Sequence, residues 1–316
     1  MKKRLSSYIG ALAAGAALLT VTACGGGATA SSQPEEASTI TIEHAQGSTS
    51  NVPVNPAKVV TFDLGVLDTM NALGVEPTGV PEASYPESLK KFSEAKYAKV
   101  GSLKEPDFEA VSSAAPDLII VSGRTAGAYE ELSKIAPTID LSVDAAKPME
   151  SFKAQTEKLG KIFKKEDEVA AKLAEVDKTV ADTKTKAASA GKGLIVLTSG
   201  GEVTAYGAGS RFGIIHDVLG VPTAADVKAE GSHGEAVSFE YIKETNPDIL
   251  YVINRDTAVG TAGSTANPIL DNELVKSTNA ARNNKIVNLD PAGWYIVGYG
   301  LNNVQAMVTA VADSVA

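Results

Sequence analysis

Short apolar runs alternate with amphipathic stretches along most of the chain, the pattern of strands buried on both faces and separated by helices. Val59-Val60-Thr61-Phe62 predicts one such strand and leads to a helix closing at Ala72-Leu73-Gly74-Val75; Leu194-Ile195-Val196-Leu197 leads in the same way to Val218-Leu219-Gly220-Val221. In both, the glycine is expected to stop the helix as its C-cap. A longer repeat lies downstream of each pair. Residues 107–124 align without gaps on residues 238–255, with six identities in eighteen positions: Phe108 with Phe239, Glu109 with Glu240, Pro116 with Pro247, Asp117 with Asp248, Val121 with Val252 and Arg124 with Arg255. Each copy reads as a short helix, a Pro-Asp turn and a buried strand (Leu118 to Val121, Ile249 to Ile253) that ends where the arginine stands. Two α/β lobes of the same ancestry follow, each with strands alternating with helices around a mostly parallel sheet.

Between the halves the pattern changes. From about Met149 to Ala190 the chain is rich in Lys, Glu and Ala, with no proline after Pro148, and Val169, Leu173, Val176 and Val180 fall on one helical face. This predicts a long helix bridging the lobes, roughly 30 Å for about 20 residues, a strut that resists wide hinge closure. At the start of the chain, Lys2, Lys3 and Arg4 precede a small, apolar run from Ile9 to Val21, which reads as an export signal too short for a membrane span. Val21-Thr22-Ala23-Cys24 resembles a bacterial lipobox, whose cysteine is acylated and becomes the new N-terminus. The expected order is a signal peptide (1–23), a lipidated flexible tether (24–39), an N-terminal lobe (40–148), an interlobe helix region (149–190) and a C-terminal lobe (191–316).

A length of 316 residues favours two domains over one, and 44% hydrophobic with 21% charged residues supplies a core for each. Wholesale disorder and a multi-span membrane protein are excluded. A single cysteine rules out a disulfide framework and a Cys-based zinc site, and three histidines leave little for a His-rich metal cage. The net charge of −9 argues against nucleic acid or an anionic membrane as the electrostatic partner. Removal of Lys2, Lys3 and Arg4 makes the remainder more acidic, so attachment to a membrane runs through lipid.

Within this acidic chain only five of the 29 basic residues are arginine: Arg4, Arg124, Arg211, Arg255 and Arg282. Arg124 and Arg255 are repeat mates at strand carboxyl ends, where open α/β sheets place ligands, and Arg211 sits in the glycine-rich turn between Tyr206 and Gly213. If the lobes face each other across a cleft, the three converge on one anion; the alternative is three surface arginines in ordinary salt bridges. Enzyme signatures fail: there is no Gly-x-Ser-x-Gly elbow, no His-Glu-x-x-His and no Walker loop, and Gly207 to Gly213 misses the dinucleotide fingerprint by one residue. His216, within a predicted helix from Ile214 to Leu219, is expected to pack. His233, in the polar loop Glu230 to Glu235, and Trp294 with Tyr295, after Asp290-Pro-Ala-Gly293, are each either ligand contacts or loop-packing residues.

From about Ile40 to Ala316 the chain resembles the lipid-anchored substrate-binding proteins of iron-siderophore ABC importers, specifically the petrobactin and catecholate-siderophore group. The resemblance rests on Val52 to Val60 with Phe62 to Asp68, Gly209 to Asp217, Gly231-Ser-His-Gly234, and Trp294-Tyr295. It implies two Rossmann-like lobes joined by one long helix, the helical-backbone type of periplasmic binding protein. It also implies a ferric siderophore as transported ligand with no intrinsic cofactor, an ABC permease as partner, no nucleic acid, and a monomer held by lipid on the extracytoplasmic face of the bacterial cell membrane. In that family Arg124, Arg211 and Arg255 would form the positive pocket, with Trp294 beside it. His233 and Tyr295 would complete Fe(III) coordination with a tetradentate siderophore, and Glu109 and Glu240 would dock the permease. That these glutamates are repeat mates is visible without the resemblance, and each is also a favourable first-turn carboxylate. Haem or cobalamin on the same fold, an exported enzyme acting on an anionic small molecule, and an adhesin or structural lipoprotein stand as alternatives.

Overall fold

The computed structural model describes residues 38–228, 234–261 and 271–316; Cys24 with the expected signal and most of the tether, and His233, lie outside them. An antiparallel hairpin, β1 (Thr39–His44) and β2 (Gly47–Pro53), comes first. The first large sheet then runs in the order β5 (Ala98–Ser102), β4 (Gly79–Glu82), β3 (Val59–Thr61), β6 (Leu118–Val121), β7 (Thr138–Asp140), and every neighbouring pair is parallel. Its central strands β3 and β6 are buried along their whole length, as strands covered on both faces by helices must be. The connecting helices include α1 (Leu64–Ala72), α2 (Phe108–Ala114) and α3 (Tyr129–Leu132).

The second sheet runs in the order β10 (Glu235–Val237), β9 (Glu202–Tyr206), β8 (Gly193–Ser199), β11 (Ile249–Asn254), β12 (Ile286–Asn288). Here β8, β11 and β12 are parallel, but β8, β9 and β10 form an antiparallel meander, so this sheet is mixed where a mostly parallel one was expected. The cause is local. Gly200 and Gly201, at φ +59° and +84°, form a two-residue turn of the mirror-image kind that matches strand twist and returns the chain as a hairpin. Helix α6 (Ile214–Asp217) therefore follows β9 instead of β8. The remaining helices are α7 (Phe239–Thr245), α8 (Arg255–Ala258), α9 (Glu273–Lys276), α10 (Asn279–Arg282) and α11 (Leu301–Ser314).

The repeat is built as the alignment implies. α2 and α7 begin on the side-chain caps Asp107 and Ser238 and end on left-handed residues, Ala115 and Asn246, both at φ +46°. The aspartate of each Pro-Asp pair then ties its strand to the neighbouring one. Asp117 Oδ2 accepts the backbone N–H groups of Ala57 and Lys58 just before β3, and Asp248 Oδ2 accepts that of Lys192 just before β8. Gly74 and Gly220 close α1 and α6 at φ +68° and +76°.

The stretch between the sheets holds two helices, α4 (Pro148–Phe163) and α5 (Glu166–Ala187). α5, at 22 residues and about 33 Å, is the expected long helix; Val169, Leu173 and Val176 are buried on one face and Val180 packs against the same core. Lys164, at φ +54°, makes the break between them. Gly160 permits the tight return: a Cβ there would lie 3.1 Å from Val169 Cγ2 and 3.4 Å from Glu166 Cα. Two apolar cores cross between the sheets. One joins Leu73 and Phe152 to Ile195, Tyr251 and Val304; the other joins Leu64, Leu67 and Val80 to Ala258, Ile296 and Val297.

Candidate functional site

A cleft of about 480 Å³ lies between the sheets, lined by Asp63 and Arg124 from the first lobe, by Phe152, Gln155 and Thr156 of α4, and by Arg211 and residues 294–299 from the second. Arg124 follows β6 through Gly123, whose N–H donates to Ser142 Oγ (2.7 Å). Ser142 in turn donates both its hydroxyl and its N–H to the buried Asp140. The root of Arg124 is thus anchored while its side chain reaches across the cleft, donating through Nη2 to the Tyr295 carbonyl (3.0 Å) and through Nη1 to that of Ile296 (3.3 Å).

Arg211 reaches the same carbonyl from its own lobe, Nη2 to Tyr295 O at 2.9 Å. Its guanidinium carbon lies 4.8 Å from the Phe212 ring centre and 4.7 Å from that of Tyr295. Gly209, at φ +71°, donates its N–H to Asp217, and Ser210 Oγ donates to Gly207 O, which holds the turn that carries Arg211. Burial, with the positive charge of Arg124 second, lowers the pKa of Arg211 from its ordinary value. Arg255 opens α8 at the end of β11. It donates through Nε to the Tyr295 hydroxyl (2.8 Å) and through Nη1 to Ser199 Oγ (3.1 Å).

Arg124 and Arg211 therefore converge on the Tyr295 carbonyl in the cleft, while Arg255, which is not among the residues lining the cleft, holds the hydroxyl end of the same tyrosine. A guanidinium carries five N–H donors; the hydrogen bonds among the described residues use two on Arg124, one on Arg211 and two on Arg255. Their acceptors are carbonyls and hydroxyls, which orient a guanidinium without neutralising it. Two carboxylates lie near them: Asp256, 3.9 Å from Arg255 Nη1, which already accepts from Ser199 Oγ and the N–H of Gly200, and the buried Asp63 beside Arg124, whose ionisation burial opposes. The result is a concentrated positive charge in an acidic protein, suited to an anion.

Tyr295 sits in a single π-helical turn, Gly293–Val297, closed by the Gly298 N–H on the Gly293 carbonyl (2.8 Å); the Gly300 N–H, five residues beyond Tyr295, goes to Gly298 O instead, which leaves the Tyr295 carbonyl to the arginines. Asp290 Oδ2 accepts the Gly293 N–H, and Asn303 Nδ2 donates to the carbonyls of Gly293 and Gly298, gripping both ends. Trp294, in the same turn, is only 3% exposed and belongs to the apolar core, so it presents no more than an edge to the cleft. His233 lies outside the described residues, and its distance from Tyr295 is not defined. His216 is half-buried and Nδ1 donates to Val221 O at 2.8 Å, the packing role expected of it. Among the described residues no group of three or more His, Cys, Asp or Glu side chains is arranged to hold a metal.

Glu109 and Glu240 are exposed in the first turns of α2 and α7. Each helix precedes, through a Pro-Asp turn, the interior strand β6 or β11 and runs back along it, which puts each glutamate toward the carboxyl end of that strand, the end that Arg124 or Arg255 follows. The Glu240 carboxyl is held below its usual pKa by its own backbone N–H and the Ser238 hydroxyl.

Asp63 was not expected as a site residue. It caps α1 through the Val66 N–H (2.9 Å) and lines the cleft; burial pushes its carboxyl up, opposed by that N–H and by Arg124. An Asp at the boundary of an apolar strand and a helix is the available sequence signal, and it reads only as a cap.

A family model described as periplasmic binding protein matches residues 59–292. The petrobactin-binding protein YclQ of Bacillus subtilis (strain 168) is 46% identical over 93% of this chain and 94% of its own. Its crystal structure matches with a TM-score of 0.84, covering 88% of this chain and 99% of that one. The periplasmic catecholate-siderophore binding protein VctP of Vibrio cholerae matches with a TM-score of 0.82 at 38% identity, covering 87% and 99%. The ferric-anguibactin-binding protein FatB of Vibrio anguillarum (strain ATCC 68554 / 775) is 31% identical over 85% of each chain.

Proposed function

Because the chain belongs to the periplasmic binding protein family, we propose that it is a lipid-anchored extracytoplasmic receptor that binds an anionic ferric siderophore, petrobactin or another catecholate type, and delivers it to an ABC permease. It is a binding protein and not an enzyme. The observation that carries the ligand class is the meeting of Arg124, Arg211 and Arg255 on Tyr295, with guanidinium donors oriented but not neutralised. Each charge-assisted bond to an anion contributes about 1.5–3 kcal/mol, so a few supply much of the roughly 8–12 kcal/mol of a micromolar to nanomolar complex. The names of YclQ, VctP and FatB, which specify petrobactin, catecholate siderophores and ferric anguibactin, support the same class.

Iron arrives as cargo inside the ligand. A tetradentate siderophore leaves two coordination positions on Fe(III), and the Tyr295 phenol and the His233 imidazole are the donors suited to fill them. With a hexadentate siderophore neither touches iron. Glu109 and Glu240, one on each lobe toward the strand end that an arginine follows, are the docking carboxylates for the permease. Export by residues 1–23 and acylation at Cys24 place the receptor, a monomer, at the outer face of the cell membrane. Cys24→Ser should release it from the membrane fraction, and retention of the variant there would refute the anchor.

Trp294 is the only tryptophan and lies at the cleft, so its emission reports ligand binding. The full-length protein in detergent should show saturable quenching by ferric petrobactin at submicromolar concentration and none by haem or cobalamin. Quenching by haem or cobalamin alone would reassign the ligand.

A further inference from the structure

Helix α11 starts at Gly300, which has no side chain with which to cap it, yet its first N–H groups are satisfied from the other lobe. Leu301 N–H donates to Thr69 Oγ1 (3.1 Å), and the N–H groups of Asn302 and Asn303 both donate to Asp68 Oδ2 (2.8 and 3.0 Å). Asp68 and Thr69 belong to α1, and each is only 2% exposed. A carboxylate at a helix N-terminus is favoured by the unpaired N–H groups and the dipole. Burial pushes the Asp68 carboxyl up, and the α11 N–H groups pull it back. Gly300 has a φ of −103°, which any residue adopts, so its lack of a side chain serves proximity: a Cβ would lie 2.6 Å from both Cβ and Oδ2 of Asp68.

The contact leads to the arginines. Asn303, whose N–H is held by Asp68, grips the carbonyls of Gly293 (2.8 Å) and Gly298 (2.6 Å), the two ends of the turn that carries Trp294 and Tyr295. The Tyr295 carbonyl then receives Arg124 and Arg211. The first lobe thus holds one turn of the second at two places, through Arg124 at the cleft and through Asp68 by way of α11. We propose that Asp68 is a positioning residue of the cleft: by capping α11 across the lobes it sets the 293–298 turn against Arg124, and with it the spacing of the three guanidiniums. The affinity consequence rests on the ligand reading above; the structural consequence does not.

The test compares Asp68→Ala, Asp68→Asn and Gly300→Ala in the full-length protein. Three quantities are read well below the unfolding transition: Trp294 emission without ligand, amide hydrogen exchange at residues 293–303, and affinity for ferric petrobactin. Asp68→Ala should shift the emission to the red, speed exchange at 293–303 and weaken affinity, the last two by about tenfold, the scale of a lost helix cap. Asp68→Asn keeps an oxygen able to accept both N–H groups and should stay within about threefold of wild type on both. Gly300→Ala should reproduce the Asp68→Ala pattern by forcing the carboxylate away, and it decides the matter if Asp68→Ala does not fold. A lower Tm with unchanged emission, exchange and affinity would reduce Asp68 to a helix cap and overturn the proposal. If the wild type binds neither ferric petrobactin nor another ferric catecholate, the ligand reading fails, and emission and exchange alone still judge Asp68.

Discussion

Replacing Arg211 with methionine separates what its guanidinium does for a ligand from what it does for the fold. Among the described residues, Arg211 donates to a carbonyl that also accepts from Arg124, so the carbonyl is left with a donor when Arg211 is removed. The loss is then about 1.5 kcal/mol for the charge-assisted bond and about 1 kcal/mol for the contacts with the Phe212 and Tyr295 rings. Against this, methionine ends the burial of a charge beside Arg124, the two causes that push the Arg211 pKa down. It also restores about 0.5–1 kcal/mol through sulfur contact with the same rings. The net change is about 1 kcal/mol or less, a shift in Tm of no more than about 2–4 °C. A ligand anion has no such compensation, since losing one or more charged donors costs about 1.5–3 kcal/mol each, roughly 10- to 150-fold in affinity. Calorimetry of the ligand-free variant and Trp294 titration with ferric petrobactin read the two effects separately. A Tm lowered by about 10 °C with unchanged affinity would show Arg211 to be a structural residue and refute the reasoning.

Asp63→Asn keeps an equally good helix cap while removing a buried negative charge beside Arg124. Because the folded carboxyl titrates above its usual 3.8, the wild type loses stability as pH rises from there through the folded value; the variant should lose less, melt no lower at neutral pH and bind ferric petrobactin at least as tightly. Weaker binding would mean that the carboxylate touches the ligand. His216 is displaced the other way, its pKa pushed below 6.5 by burial, so the unfolded chain takes up the proton first and stability falls as pH drops below that value. His216→Gln should flatten the fall in Tm between about pH 7.5 and about pH 5.5, and an unchanged slope would count against the assignment. Glu109→Ala combined with Glu240→Ala should leave ferric petrobactin binding intact and abolish uptake by cells; normal uptake would remove the docking assignment.

How far the fold could be read from residues depended on whether the deciding group was a side chain in a local pattern. Asp117 and Asp248 act beside their own repeat unit, so the repeat, its Pro-Asp turns and its strands were legible, while the caps Asp107 and Ser238 emerged only with the structure. The β8–β9 hairpin has its own signal in Gly200-Gly201 between two apolar strands, which the match of Leu194–Leu197 to the Leu-Gly-Val stop at 219–221 passes over. The break between α4 and α5 falls on Lys164, a residue with no special liking for a left-handed backbone, and nothing in the local pattern marks it. At the site, the arginines stood out because the chain otherwise prefers lysine. The acceptor that Arg124 and Arg211 share could not, because it is a backbone carbonyl, the Tyr295 oxygen, in a π-helical turn. The pairing of Asp68 with Gly300 joins residues more than 230 positions apart, and only the packing of α1 on α11 reveals it.

The choice of carbonyls over carboxylates as acceptors explains how an acidic chain can hold a cationic site. Had Arg124 and Arg211 been paired with Asp or Glu, their positions would be fixed but their charge cancelled, and an anion would have to break those pairs to bind. Holding both on the Tyr295 carbonyl fixes them while leaving two like charges close together, and the Arg211 pKa is lowered first by burial and then by that neighbouring charge. The repulsion is tolerated because aromatic faces and carbonyl dipoles surround the guanidiniums, and because the two cores that cross between the lobes hold the cleft walls in place. An anion entering the cleft relieves this repulsion in addition to making its own hydrogen bonds. The substitution that lowers affinity at Arg211 is therefore the one expected to leave stability nearly untouched.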